Sequence, residues 1–180
     1  MITLRPAIWP DDLAALSMLN TSFETSKVYR VVCDGLSFQI DETKVDPPLR
    51  KSYDIDEREG WDYAVIAESS CVIAESGGVL VGFAAAEYQQ WNRRAVIWHL
   101  YVSPGHRRLG IATQLLGALT DYAKNAGARC LWLETQNVNY PAIQFYLRSG
   151  FRLCGLDDTL YDPATVDPQE VALYFTRPLE

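Results

Sequence analysis

Apolar residues recur along this chain with two periods, and the switches between them predict its elements. Ile2 to Arg5 reads as a short strand. Pro10-Asp11-Asp12 opens a helix in which Leu13, Leu16 and Leu19 fall at helical spacing. Asp41 to Glu59 holds seven acids, four bases and the pair Pro47-Pro48, which predicts a loop or short irregular segment over the surface rather than a domain boundary. Tyr63 to Ala67 and Cys71 to Ala74 are apolar and β-branched, as strands are. Gly77-Gly78 marks a tight turn, and Val79 to Tyr88 and Ala95 to Val102 are two further strands around the polar turn Trp91-Asn92-Arg93-Arg94. Ile111 to Ala126 is the clearest helix: Ile111, Leu115, Leu116, Leu119, Tyr122, Ala123 and Ala126 share one face, and Gly127 ends it. Cys130 to Glu134 predicts a strand, Tyr140 to Ser149 a helix closed by Gly150, and Phe151 to Leu156 and Val171 to Thr176 two last strands. This order predicts an α/β (α+β) fold with a central sheet.

Composition narrows the function. At 180 residues, with 48% apolar and 22% charged types, the chain predicts one globular domain over residues 1–180. Sixteen basic against 23 acidic residues leave a net charge of −7, which argues against a nucleic-acid partner and favours a cationic one. The longest apolar run, Val79 to Ala86, is too short to span a membrane. The start of the chain lacks the layout of a signal peptide. Cys33, Cys71, Cys130 and Cys154 are far apart with no CxxC pair, so no metal site is expected. Cys71 and Cys130 read as core residues, and a reducing cytoplasm is the simplest setting.

The chemistry concentrates in Val102-Ser103-Pro104-Gly105-His106-Arg107-Arg108-Leu109-Gly110-Ile111-Ala112-Thr113, where a strand runs through a Gly- and Arg-containing loop into the clearest helix. A helix N-terminus offers unpaired N–H groups and positive partial charge to a phosphate. Gly110 permits close backbone approach, Ala112 leaves room, Thr113 offers a hydroxyl, and Arg107 and Arg108 add charge. The residues alone fit a pyrophosphate cradle and a loop with surface arginines equally.

Arg107-x-x-Gly110-x-Ala112 resembles the coenzyme A signature [QR]-x-x-G-x-[GA] of the GNAT N-acetyltransferase superfamily. Asn139-Tyr140-Pro141-Ala142-Ile143-Gln144-Phe145-Tyr146-Leu147-Arg148-Ser149-Gly150-Phe151 resembles its second motif, N-x-x-A-x-x-F-Y-x-x-x-G-F. Trp91-Asn92-Arg93, Leu133-Glu134-Thr135-Gln136, Asp158-Thr159-Leu160-Tyr161 and Leu49-Arg50-Lys51-Ser52-Tyr53 are similar to segments of the streptothricin acetyltransferase group. The resemblance spans about Val45 to Phe175 and is patchy in the first 40 residues. It implies a mixed sheet of about six to seven strands with helices on both faces. It also implies acetyl-CoA as donor, and a primary amine on a cationic small molecule, such as streptothricin, as acceptor.

The resemblance also implies residue roles. The N–H groups of Arg107, Arg108, Leu109, Gly110, Ile111 and Ala112, with Thr113, would hold the pyrophosphate. Leu100, Tyr101 and Val102 would hold the pantetheine arm as an added strand, with a Val102 N–H toward the thioester oxygen. Asn139 and Ala142 would border the coenzyme, and Asn139 reads equally as a helix N-cap. Tyr146 would be the general acid, since a phenol stays protonated at neutral pH; its alternative is a core aromatic. The base is open: the expected acidic position holds Trp98-His99, on opposite faces by strand parity, which leaves His99 and Glu134 as candidates. Glu87, Trp91, Trp98, Asp158 and Tyr161 would line the acceptor site through charge and cation–π contact. A peptide or protein acceptor and a non-catalytic acyl-CoA-binding module both remain open, as do monomer and homodimer.

Overall fold

Short-period alternation and the Gly77-Gly78 turn produce an antiparallel meander. The computed structural model describes residues 1–53 and 69–179. The strand expected at Tyr63 to Ala67 and the end of the expected polar loop lie outside the described residues. Within them, β1 (Ile2–Pro6), β4 (Ser70–Ser76), β5 (Val79–Gln89), β6 (Arg94–Val102), β7 (Cys130–Gln136), β8 (Arg152–Asp157) and β9 (Ala172–Pro178) form a seven-stranded mixed sheet. Its order is β1-β4-β5-β6-β7-β9-β8. β2 (Phe23–Asp34) and β3 (Ser37–Lys51) pair as a separate two-stranded sheet. Three α-helices are described: α1 (Leu13–Ser17), α2 (Ile111–Asn125) and α3 (Tyr140–Arg148). The chain divides into two compact units, the first Met1–Ser22, Ser52–Trp132 and Pro178–Glu180, the second Phe23–Lys51 and Leu133–Arg177.

In the first unit, β1, β4, β5 and β6 pair antiparallel in that order. Period-two alternation gives each strand two faces. Cys71, Ile73, Phe83 and Ala85 on one face join Leu16 and Leu19 in a buried cluster, which seats α1 there. Arg5 forks onto Asp12 at 2.7 Å and reaches Glu75 at 2.8 Å, fixing the start of α1 against β1 and β4. The other face takes α2, which buries Ile111, Leu115, Leu116, Leu119 and Ala123. The approach is close at Gly82, where a Cβ would stand 3.1 Å from the Tyr101 carbonyl oxygen and 3.2 Å from Leu115 Cδ1. Gly82→Ala is therefore expected to cost about 1–3 kcal/mol of stability through overpacking, measured by denaturant unfolding. Cys71 and Cys130 are both buried, as small core residues are, and burial pushes the Cys71 thiol up to about 11.

In the second unit, the long hairpin β2–β3 corrects the sequence reading. The expected loop from Asp41 is a strand through Lys51. Most of its side chains are exposed, so no apolar alternation marks it; cross-strand ion pairs, Lys27–Glu42 and Arg50–Glu24, take that place. The pairing jumps from Thr25↔Leu49 to Lys27↔Lys44, so Pro47 and Pro48 sit in an irregularity where a missing N–H breaks no ladder bond. Asp34 pairs with Ser37 across Gly35 and Leu36, and Gly35 has φ +60°. That Asp-Gly turn between β-branched runs was the available signal for the hairpin. Asn137, 3% exposed, ties this unit together. Its Nδ2 donates to the carbonyls of Tyr29 at 2.7 Å and Gln169 at 3.1 Å, and its Oδ1 accepts from Val171 N–H at 2.8 Å.

Candidate active site

At the C-terminal end of β6 the first unit carries the loop that the sequence expects to seat a phosphate. A 3₁₀ turn, Pro104–His106, leads from the strand, with Ser103 Oγ 3.0 Å from His106 Nδ1. Arg108 (φ +63°) and Gly110 (φ +78°) are both left-handed and turn the backbone into α2. The α2 N-terminus has no side-chain cap and no acid in its first turn. Its leading N–H groups thus have no intrahelical partner and no competing carboxylate. Among the described residues, a Cβ at Gly110 would meet no heavy atom within 4 Å beyond its chain neighbours, which leaves room there for a ligand. Leu109 and Thr113 are exposed beside it, Ile111 is buried as the helix anchor, and Ala112 is half-buried. These features fit the pyrophosphate of coenzyme A.

The two arginines of this loop divide their work. Arg107 is half-buried; its Nε donates to the Val102 carbonyl at 2.8 Å and its Nη2 to the Ser22 carbonyl at 2.6 Å. Burial lowers its pKa. Its guanidinium therefore braces the loop against the strand end and the Thr21–Ser22 segment. Arg108 is exposed and is the arginine whose charge faces solvent. The sequence pattern alone could not tell brace from charge, because both are adjacent arginines. Arg107→Met should raise the KM for the coenzyme about tenfold or more, since hydrogen bonds from a charged group are strong. kcat at saturation should hold, and initial-rate kinetics separate the two.

Leu100, Tyr101 and Val102 occupy the end of β6, with Val102 buried and the other two half-buried. One step back, β6 carries an extra residue: Ala85 pairs with His99 and Ala86 with Ile97, leaving Trp98 bulged. Trp98 is 55% exposed and its Nε1 donates to Glu87 Oε2 at 3.0 Å. Glu87 and exposed Trp91 line the same open concavity with Tyr88, Gln89 and Gln90. Three expected acceptor residues, Glu87, Trp91 and Trp98, are thus neighbours on the first unit. His99 turns elsewhere, its ring 5.8 Å from both Phe83 and Tyr101. Burial pushes its pKa down to about 4, so it is neutral at physiological pH and a weak base.

The second unit carries the remaining candidates. Glu134 stands on β7 between buried Leu133 and Thr135, with its own side chain partly exposed. It accepts a hydrogen bond from the Tyr161 hydroxyl. Burial raises its pKa, and the Tyr161 bond opposes that shift. Tyr146 on α3 is 7% exposed, its ring 5.6 Å from Phe145 and Phe151 and 6.4 Å from Phe175. Asn139 caps α3, its Oδ1 accepting from Ala142 N–H at 3.3 Å. Asp158 is exposed; its neighbour Asp157 is the organised acid, accepting from Thr159 N and Oγ1 at 2.8 Å each. Tyr174, the hydroxyl partner of Asp157, stands in no motif and was not singled out from the sequence. Among the described residues no group of three His, Cys, Asp or Glu is placed to hold a metal ion.

The strand, the bulge and the glycine-led start of α2 lie where the coenzyme A signature of an acyltransferase, as the resemblance implies, would place them. The chain belongs to the acetyltransferase (GNAT) family, whose sequence pattern matches residues 37–151, and it is an N-acetyltransferase with acetyl-CoA as donor. Streptothricin acetyltransferase of Streptomyces lavendulae is 40% identical to it over 173 residues, covering 94% of this chain and 91% of the relative. The crystal structure of nourseothricin acetyltransferase matches it with a TM-score of 0.89 at 39% identity, over 99% of each chain. A Bacillus anthracis protein solved in complex with acetyl coenzyme A shares the fold, with a TM-score of 0.81 at 24% identity over 99% of this chain and 100% of that one.

Proposed function

We propose that this enzyme acetylates a primary amine of a streptothricin-type antibiotic in the cytoplasm and so confers resistance. The observation that carries the acceptor is the 40% identity, along 94% of the chain, to a relative named for that activity. The acceptor's cationic character suits the Glu87, Trp91 and Trp98 cluster, where a carboxylate lies beside two exposed indoles. It also suits the net charge of −7.

Acetyl-CoA supplies an acetyl group activated as a thioester. The N–H groups from Arg107 to Ala112 hold its pyrophosphate, with Thr113 and the Arg108 charge, while Arg107 holds the loop itself. The backbone of Leu100 to Val102 guides the pantetheine arm. Asn139, by capping α3 through Ala142, fixes the helix that presents Tyr146. Glu134 takes the proton from the acceptor ammonium, because a partly buried carboxylate with a raised pKa is a better base than His99 among aromatic rings. The Tyr146 hydroxyl holds the proton that the leaving sulfur needs. Asp158 belongs to the acceptor side, and Tyr161 turns its hydroxyl to Glu134.

The test is thiol release from acetyl-CoA with streptothricin and a panel of amines. Streptothricin is expected to be turned over in preference, with one acetyl group found on its amine by mass spectrometry. Absence of turnover with streptothricin would overturn the acceptor assignment.

A further inference from the structure

Tyr161 reaches Glu134 from 27 residues further along the chain. Residues 158–170 leave β8 at Asp157, whose carboxylate is held by Thr159. They return at Glu170, which pairs with Lys51, and at Val171, which is held by Asn137. The segment is thus fastened at both ends, and Tyr161 is a placed donor. Among the described residues, the titratable groups around the Glu134 carboxylate are Tyr161 of this segment and Tyr174 of β9, with Asp157 of β8 beyond the Tyr174 hydroxyl. Tyr174 lies against Gly155, where a Cβ would be 3.4 Å from its Cδ2, and directs its hydroxyl to Asp157.

We propose that Tyr161 is a positioning residue for the base: its hydroxyl holds Glu134 in the proton-accepting form, and the segment that carries it sets the acid limit of acetyl transfer. This rests on Glu134 being the base. A carboxylate taken partly out of water favours its neutral form, and a hydrogen bond donated to it favours the charged one. Removing the donor leaves burial unopposed. Glu134 then stays protonated to higher pH, and the reaction loses its base over that interval. Tyr161 touches neither reacting atom in this account, so at a pH above the new limit the rate returns.

Tyr161→Phe is the test, with Glu134→Gln and Tyr174→Phe beside it. The pH profile of kcat is measured, together with ¹³C-carboxyl glutamate titration of the coenzyme-free protein, in which Glu134→Gln identifies the resonance. For Tyr161→Phe the acid limb of kcat and the Glu134 titration midpoint should both move up by about one pH unit, with the rate rising through the shifted limb. Tyr174→Phe should move the midpoint less. An unmoved midpoint, or a Tyr161→Phe rate that is low at every pH, overturns the proposal. Loss of activity in Glu134→Gln with an unmoved Tyr161→Phe midpoint overturns it alone. Full activity in Glu134→Gln removes the base assignment and this proposal together.

Discussion

Glu134→Gln is expected to lower kcat by about 10²–10⁴-fold, the range for removing a general base. Glutamine keeps the shape and can still accept the Tyr161 hydroxyl through its carbonyl oxygen, so the local fold should persist. What it loses is a site that accepts a proton. Coenzyme affinity should be unchanged, because Glu134 on β7 is not part of the Arg107–Thr113 loop proposed to seat the pyrophosphate. Steady-state kinetics with coenzyme affinity measured by calorimetry separates the two quantities. The competing candidate, His99, predicts the reverse: a His99→Gln variant would fall as far while Glu134→Gln stayed active. Its pKa near 4 and its place between Phe83 and Tyr101 make that outcome the unexpected one.

Gly110→Val should weaken coenzyme binding by about a hundredfold or more. Two costs combine. At φ +78° a residue with a Cβ is strained by about 1–3 kcal/mol, and a β-branched one more. The added side chain would also project into the space proposed for the phosphate, where among the described residues no atom beyond the chain neighbours lies within 4 Å of a Cβ. Gly110→Ala carries the strain with less bulk, so it should bind more tightly than Gly110→Val and less tightly than the parent. Calorimetric titration with coenzyme A measures all three. Equal affinity for all three would overturn the assignment of this loop as the seat.

How much could be read in advance depended on burial. Strands β4 to β7 and helix α2 carry the core of the first unit, so their apolar period is strong and their bounds were close to those found. Strands β2 and β3 are mostly exposed, and pairing between charged side chains stabilised a ribbon that looked like loop. The polar residues there are satisfied across the hairpin, not along the chain. The loop between β6 and α2 was legible because strand, loop and helix start are contiguous. The bulge at Trp98 was not: it depends on which residue of β5 each residue of β6 faces, and it separates Trp98 toward Glu87 from His99 toward Phe83.

The sequence by itself determined the order of elements apart from the β2–β3 hairpin, the glycine-led loop at the start of α2, and the family. These rest on residues near one another in the chain, where backbone sterics and hydrogen bonding leave few choices. Only the tertiary structure decided that Arg107 braces the loop on Val102 and Ser22 while Arg108 faces solvent, that Asn137 ties Tyr29 to Gln169 and Val171, and that Tyr161 meets Glu134. Each of those contacts spans a separation that local rules do not reach. Burial settled them: a polar group taken from water must find a partner, and that partner is supplied by whichever element packs beside it.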